Sequence, residues 1–269
     1  MKFSASMMKT FHKCSLQAKF NYIDKIPQQT GSAAWFGSII HSALELMGNG
    51  GSLEDALKQF NYDMNASEPD YWNRRSSYTQ YKDQGQNMLT DFSYKDRWTE
   101  NNIIASEHKF MIDIGDHQLS GIVDALSFPK DVSSLDIIDW KTGSRPTNDN
   151  LRLDVQFTAY EYASYQKEFW CGYPGKEDYY PGMINGEELW ERFKDIPRKT
   201  IWYDLKKNQD VIIPPHNDLD YGRLYRSMEQ ISRAVDLEVF VPNISGDSCS
   251  WCSYQEICPV YFDPIDKAH

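Results

Sequence analysis

The sequence predicts a single mixed α/β domain, and three changes of pattern along the chain predict it. The first third places apolar residues at helical spacing, residues 103–141 switch to strand-like runs parted by turn signals, and helical spacing returns after residue 153. Residues 4–22 carry Met7, Met8, Phe11, Leu16 and Phe20 at near-helical intervals and end ahead of Pro27. Residues 34–47 form an amphipathic helix with Phe36, Ile39, Ile40, Leu44 and Met47 on adjoining faces, stopped by Gly48-Asn49-Gly50-Gly51. Helices over 53–62 and 72–94 complete this part. Runs 103–114 and 118–128 flank Gly115-Asp116-His117 and predict a hairpin, and 135–141 predicts a third strand ended by Gly143 and Pro146. A helix over 153–169 follows, then weaker strands at 179–184, 200–205 and 211–213, and a helix over 219–235. The regions are a mainly helical 1–102, a core at 103–170, further strands and helices at 171–248, and a cysteine-bearing end at 249–269. No internal repeat, low-complexity tract or linker divides them.

At 269 residues and 41% hydrophobic content the chain can bury a sizeable core. No run of about 18 apolar residues exists, and Met1 to Lys9 is too interrupted for a signal peptide, so a cytoplasmic protein without a membrane partner is expected, in the host cytoplasm if viral. The net charge of -11 argues against a passive nucleic-acid coat, since phosphate binding is driven by basic residues. It leaves room for an enzyme whose carboxylates hold metal while one cleft is basic. Five cysteines, three of them within 249–258, fit thiolate ligation in a reducing compartment better than a disulfide framework. Cys171 is expected to be a buried spare thiol.

In Leu135-Asp136-Ile137-Ile138-Asp139-Trp140-Lys141, strand alternation puts Asp139 and Lys141 on one face and Ile138 and Trp140 on the other. Asp124, in Gly121-Ile122-Val123-Asp124, approaches Asp139 if the two strands pair. Two such carboxylates can share a divalent cation, which neutralises a phosphate and activates water, with Lys141 orienting that water. Most charged strand residues are merely solvated, but these aspartates interrupt apolar strands, where an unused charge is costly. His41 lies on the amphipathic helix; such a histidine is more often structural, yet imidazole can ligate manganese and similar ions. Gln156 and Tyr160, four apart on a helix, share a face that could meet the metal edge. Glu107 is a further candidate acid, with a solvated surface role equally plausible. Cys14 with Cys249, Cys252 and Cys258 could bind Zn²⁺ or an iron–sulfur cluster, and one remote cysteine joined to a group of three suits the cluster better. Arg145 and Arg152 flank the acidic edge as candidate phosphate contacts. Tyr71, Trp72, Arg74, Arg75, Tyr78 and Tyr81 could stack on single strands, although core packing is the plainer role for the aromatics.

His41 in Gly-x-x-x-His, Asp124 in Gly-x-x-Asp, the Asp139-x-Lys141 step and Gln156-x-x-x-Tyr160 resemble, in order, the motifs of RecB-like nucleases of the PD-(D/E)XK superfamily, over about residues 11–259. The four cysteines resemble the iron–sulfur branch of that family, which includes AddB-type nuclease domains and CRISPR-associated adaptation exonucleases. The resemblance implies a restriction-endonuclease-like core, a mixed central sheet flanked by helices, with a helical N-terminal portion. It implies Mg²⁺ or Mn²⁺ held by His41, Asp124, Asp139 and the carbonyl of Trp140, with Lys141 serving the water and Gln156 and Tyr160 supporting the site. It further implies a structural [4Fe–4S] cluster stapling the termini. The implied activity is degradation of DNA from single-stranded or duplex ends, in phage or prokaryotic replication, recombination or repair, alongside other proteins of those systems or of CRISPR adaptation. Two other readings stand beside it: a catalytically silent nucleic-acid-binding subunit and a zinc-bound interaction module.

Overall fold

The computed structural model describes residues 1–28, 31–66, 75–93, 103–144, 146–171, 186–250 and 252–261. The chain starts with a strand that sequence pattern does not disclose. Lys2–Ser4 (β1) is three residues long, too short to show a period, and leads directly into Ala5–Lys13 (α1), whose first turn is capped by Ser4 Oγ accepting from Met7 N. The helix expected over 4–22 breaks at Cys14, which is extended, and resumes as Ser15–Ala18 (α2) and a π-turn at Lys19–Ile23. Three longer helices come next, Ser32–Gly48 (α3), Leu53–Ala66 (α4) and Arg75–Ser93 (α5).

Ile103–Ile114 (β2), His117–Ser127 (β3) and Leu135–Lys141 (β4) form an antiparallel meander, as the alternation predicts. After a short helix at Asn148–Arg152 (α6), Val155–Ser164 (α7) and Lys167–Trp170 (α8) replace the single helix expected over 153–169. Asp154 caps α7 by accepting from Gln156 N, and the Ser164 carbonyl at its other end is taken by Arg198 and by the Trp170 indole. Those side chains end the helix where the apolar pattern alone would continue it. Gly186–Phe193 (α9) was not anticipated; the strand expected at 179–184 lies outside the described residues. Arg198–Asp204 (β5) pairs parallel with β4, and Gln209–Ile212 (β6) pairs antiparallel with β5. Asp218–Asp236 (α10) opens on a capping box of Asn217 and Asp220, and Gly246–Ser250 (α11) precedes the last cysteines.

The sheet order is β1-β3-β4-β5-β6, with β2 on the other edge of β3. Helices cover both faces. On one, Met8, Ala159, Trp170, Phe193 and Met228 from α1, α7, α8, α9 and α10 pack against Phe110, Leu119, Val123 and Ile137. On the other, Phe36, Ile40, Phe60 and Leu89 from α3, α4 and α5 pack against Ala125, Ile138, Trp140 and Ile201. The expected α/β class, a mixed sheet flanked by helices, is therefore the observed one. Among the described residues no helix is long and apolar enough to cross a membrane.

Candidate metal centre at the edge of the central strands

The site exists because β3 shares one edge between two partners. Residues 118–120 pair with β1 and residues 125–127 pair with β4, leaving Gly121 to Asp124 between them. Polar side chains take the backbone groups there: Tyr160 donates to the Ile122 carbonyl at 2.5 Å, and Asp124 Oδ2 accepts from Trp140 N at 2.6 Å. Gly121 permits this geometry, since a Cβ there would stand 2.6 Å from the Phe110 ring and 3.2 Å from the Tyr160 ring.

Both strands of the hairpin change face at the same step. Val123 and Leu126 pack in the first core and Ala125 in the second, so strict alternation is lost around Asp124. Opposite it, between the pairs Ser106 with Ala125 and His108 with Val123, Glu107 has φ 49°, a left-handed conformation that glutamate adopts only under constraint. The distortion turns both carboxylates toward α3. There His41 Nδ1 lies 3.5 Å from Asp124 Oδ1 and 3.6 Å from Glu107 Oε1, while its Nε2–H donates to the Trp140 carbonyl at 3.1 Å. Among the described residues these are the three whose ligand atoms all lie within 4.8 Å of one another. Glu107, for which the sequence leaves a solvated surface role equally open, thus stands beside His41, and the Trp140 carbonyl is engaged by the imidazole.

Asp139 and Lys141 share the opposite sheet face, as alternation predicts. Lys141 Nζ is 2.5 Å from Asp139 Oδ2, and Gln156 donates its amide to Asp139 Oδ1 at 2.9 Å and to the Tyr160 hydroxyl at 2.9 Å. A clamp that sequence reasoning missed lies behind Gln156: Lys9 contacts Asp154 at 2.8 Å and Gln156 Oε1 at 3.4 Å. Only the fold joins α1 to the start of α7. Glu45, one turn after His41, was also missed; burial and the nearby Glu107 raise its pKa, and Lys109 opposes them.

The centre carries crowded negative charge. Burial pushes the Asp139 carboxyl up to about 6, with Lys141 pulling it down and Asp124 pushing it further up. Burial disfavours the charged imidazole of His41, but hydrogen bonds and charge from Asp124 and Glu107 outweigh it and raise the pKa to about 10. Lys141 behaves likewise, with burial opposed by Asp139 and Asp124, and its pKa is raised. Burial and the neighbouring carboxylates lift the Tyr160 phenol well above its ordinary range, so it stays a donor. Three carboxylates around two cations are suited to a divalent ion.

Beside Gln156 and Tyr160 a cavity of about 650 Å³ opens, bounded by Ser6, Lys9, Lys109, Ser120 and the exposed Ile122. Of the proposed phosphate contacts, Arg152 lies elsewhere, donating to Asp220 at 2.5 Å on the far side of α7; Arg145 is outside the described residues, as are Tyr71, Trp72 and Arg74. Of the suggested stacking platform, Tyr81 packs on Phe36 with ring centroids 4.8 Å apart, and Tyr78 packs against the same core and donates to Asn65. Cys14, Cys249, Cys252 and Cys258 line one pocket of about 30 Å³ with Phe20 and Tyr254, so the segment at Cys14 and the segment at 249–258 meet there. Cys171 is exposed, contrary to the expected buried thiol; it comes just after α8 with its Sγ toward the Lys167 carbonyl.

The family model for the PD-(D/E)XK nuclease superfamily matches residues 2–259. No curated protein matches the chain. Among solved structures it is similar to the crystal structure of a "Putative exonuclease" from Eubacterium rectale, at 13% identity and a TM-score of 0.54, covering 96% of this chain and 86% of that one. At that identity the likeness is one of fold.

Proposed function

The chain belongs to the PD-(D/E)XK nuclease superfamily, and we propose that it is a metal-dependent DNA exonuclease that hydrolyses phosphodiester bonds from ends, preferentially of single strands. The observation that carries the site is the register of β3 on β4. Ala125 pairs with Ile138, so Asp124 and Asp139 follow directly where that ladder ends, with Lys141 on the face of Asp139 and His41 on the Asp124 side.

His41, Glu107 and Asp124 suit a divalent ion: bonds of about 2.1 Å at right angles need donors about 3.0 Å apart, close to the 3.5 and 3.6 Å present. Asp139 is the fourth candidate ligand, and the Trp140 carbonyl, one residue on, is reached from His41. Mg²⁺ or Mn²⁺ would neutralise phosphate charge and lower the pKa of a bound water. An imidazole among carboxylates suits Mn²⁺ better than Mg²⁺, which prefers all-oxygen sites. Lys141 orients the attacking water and offsets charge developing on the phosphate. Gln156 and Tyr160 hold Asp139 in place. The cavity beside them, with a lysine on α1, another on β2 and Ile122 exposed between, suits a single strand with phosphates on the ammonium groups and sugar or base on the apolar residue.

The four cysteines suit a [4Fe–4S] cluster that staples the termini. One remote cysteine joined to a group of three suits a cluster better than the two close-spaced couples of a zinc ribbon. Their arrangement, together with the motif order, supports the AddB-like iron–sulfur branch and a role in phage or prokaryotic DNA replication, recombination or repair.

The test compares end-labelled linear and circular single-stranded DNA with Mn²⁺. The expected outcome is nucleotide release from the linear substrate, loss of that release in Lys141→Ala, and an intact circle. Cutting of the circle at the linear rate would refute the exonuclease reading.

A further inference from the structure

Behind α7, on the helix face turned away from Gln156 and Tyr160, lies a cavity of about 330 Å³ lined by Arg152, Arg223 and Arg226 together with Thr158, Ser227 and Gln230. In a chain of net charge -11, three arginines line this one cavity, and two of them reach the same carboxylate. That carboxylate, Asp220, is buried at 5% exposure and divides its oxygens: Oδ2 accepts from Arg152 at 2.5 Å and Oδ1 from Arg223 at 3.2 Å. Each arginine has five donors, so holding one on the aspartate fixes the fork and leaves others available to a ligand. Arg226 is brought in by Gly222, where a Cβ would stand 3.1 Å from Arg226 Nη1. A glycine inside α10 weakens the helix, and here it makes room for a guanidinium. Burial lowers the pKa of His12 at the rim, and its Nε2 lies 2.6 Å from Ser227 Oγ.

We infer that this cavity is a second binding site, distinct from the acidic centre, that recognises a phosphate group through Arg223, held by Asp220, and the neighbouring Arg226. Three arginines and one carboxylate in the lining leave two positive charges that an anion of matching fork geometry would neutralise. Phosphate, with three or four acceptor oxygens, matches converging guanidinium and hydroxyl donors. That the phosphate belongs to a nucleic-acid strand rests on the nuclease reading; the anion chemistry of the cavity does not.

Fluorescence anisotropy in EDTA, where no cleavage occurs, measures binding of a labelled oligonucleotide with and without a 5′-phosphate, competed by inorganic phosphate. Arg226→Gln combined with Arg223→Gln is expected to weaken binding at least tenfold and to flatten the salt dependence by roughly 0.7 in slope per arginine. Arg226→Lys in place of the glutamine restores part of both, which a loss of folding would not allow. Preference for the 5′-phosphorylated strand assigns the site to a terminal phosphate, and equal binding of both strands assigns it to a backbone phosphate. Competition by inorganic phosphate in the wild type alone identifies a free phosphate site. Unchanged affinity and slope in the double variant, with no effect of phosphate, would overturn the inference. Arginine-dependent binding without metal-dependent cleavage would strike the nuclease reading and leave this site standing.

Discussion

Tyr160→Phe removes a single oxygen, and the bonds that oxygen makes set the size of the loss. The phenol donates to the Ile122 carbonyl at 2.5 Å and accepts from Gln156 Nε2 at 2.9 Å, and the same amide donates to Asp139 Oδ1 at 2.9 Å. Because a carbonyl only accepts, the chain runs one way, and it fixes which end of the Gln156 amide faces Asp139. Deleting the hydroxyl leaves the Ile122 carbonyl and one amide hydrogen without this partner in a largely buried setting. At about 1 kcal/mol for each net hydrogen bond, the expected loss of stability is about 2 kcal/mol. Gln156 then turns more freely and Asp139 loses orientation, which should lower kcat on single-stranded DNA roughly tenfold, the equivalent of about 1.4 kcal/mol. The assay is a double-mutant cycle of Tyr160→Phe with Gln156→Ala, followed by denaturant unfolding and by cleavage. The chain predicts coupling of about 1 kcal/mol in both readouts. Strictly additive effects, or a Tyr160→Phe enzyme as stable and as fast as the parent, would refute the relay.

Glu161→Leu should be the most damaging of the core substitutions, by about 3 kcal/mol or more in chemical denaturation, since the buried carboxylate accepts from His216 N, His216 Nδ1, Thr200 and Tyr221. Asp220→Asn should change the acid limb of stability. Arg152, acting against desolvation and helped by the Asn217 backbone, holds that carboxyl down at about 2. Its contribution is therefore present above the ordinary 3.8, falls as pH drops through 2, and is missing from the variant's unfolding curves between those values. Cys258→Ser should bleach the visible absorbance expected of a cluster and lower the melting temperature before any specific loss of chemistry; an unchanged Tm and spectrum would remove the staple.

Much of the candidate metal edge is legible in sequence because β4 obeys strict alternation: Asp139 and Lys141 interrupt its apolar run on one face, and Trp140 fills the core on the other. The hairpin and α3 announce themselves through turn residues and a wide apolar stripe. The features that escape each have a physical cause. β1 is three residues long and gains its partner from β3, more than a hundred residues away. The helix end at Ser164 and the break at Cys14 coincide with tertiary hydrogen bonds, from Arg198 and from Asn243, which periodicity does not register. Glu107 reads as a solvated strand glutamate because a left-handed φ inside a strand leaves no trace in residue type. Arg152 is near the acidic edge in sequence yet faces the other side of α7, since the turn at Leu153 and the Asp154 cap reverse its direction.

Metal-dependent release of nucleotides from end-labelled single-stranded DNA by metal-stripped protein, measured side by side for the parent, Asp124→Asn and Asp139→Asn, tests the central claim most directly. The account predicts no release without metal, recovery in the parent on adding Mn²⁺, and a fall of about a thousandfold or more in both variants, with their unfolding curves intact. A parent that never cleaves, or either variant cleaving at the parent's rate, would contradict it.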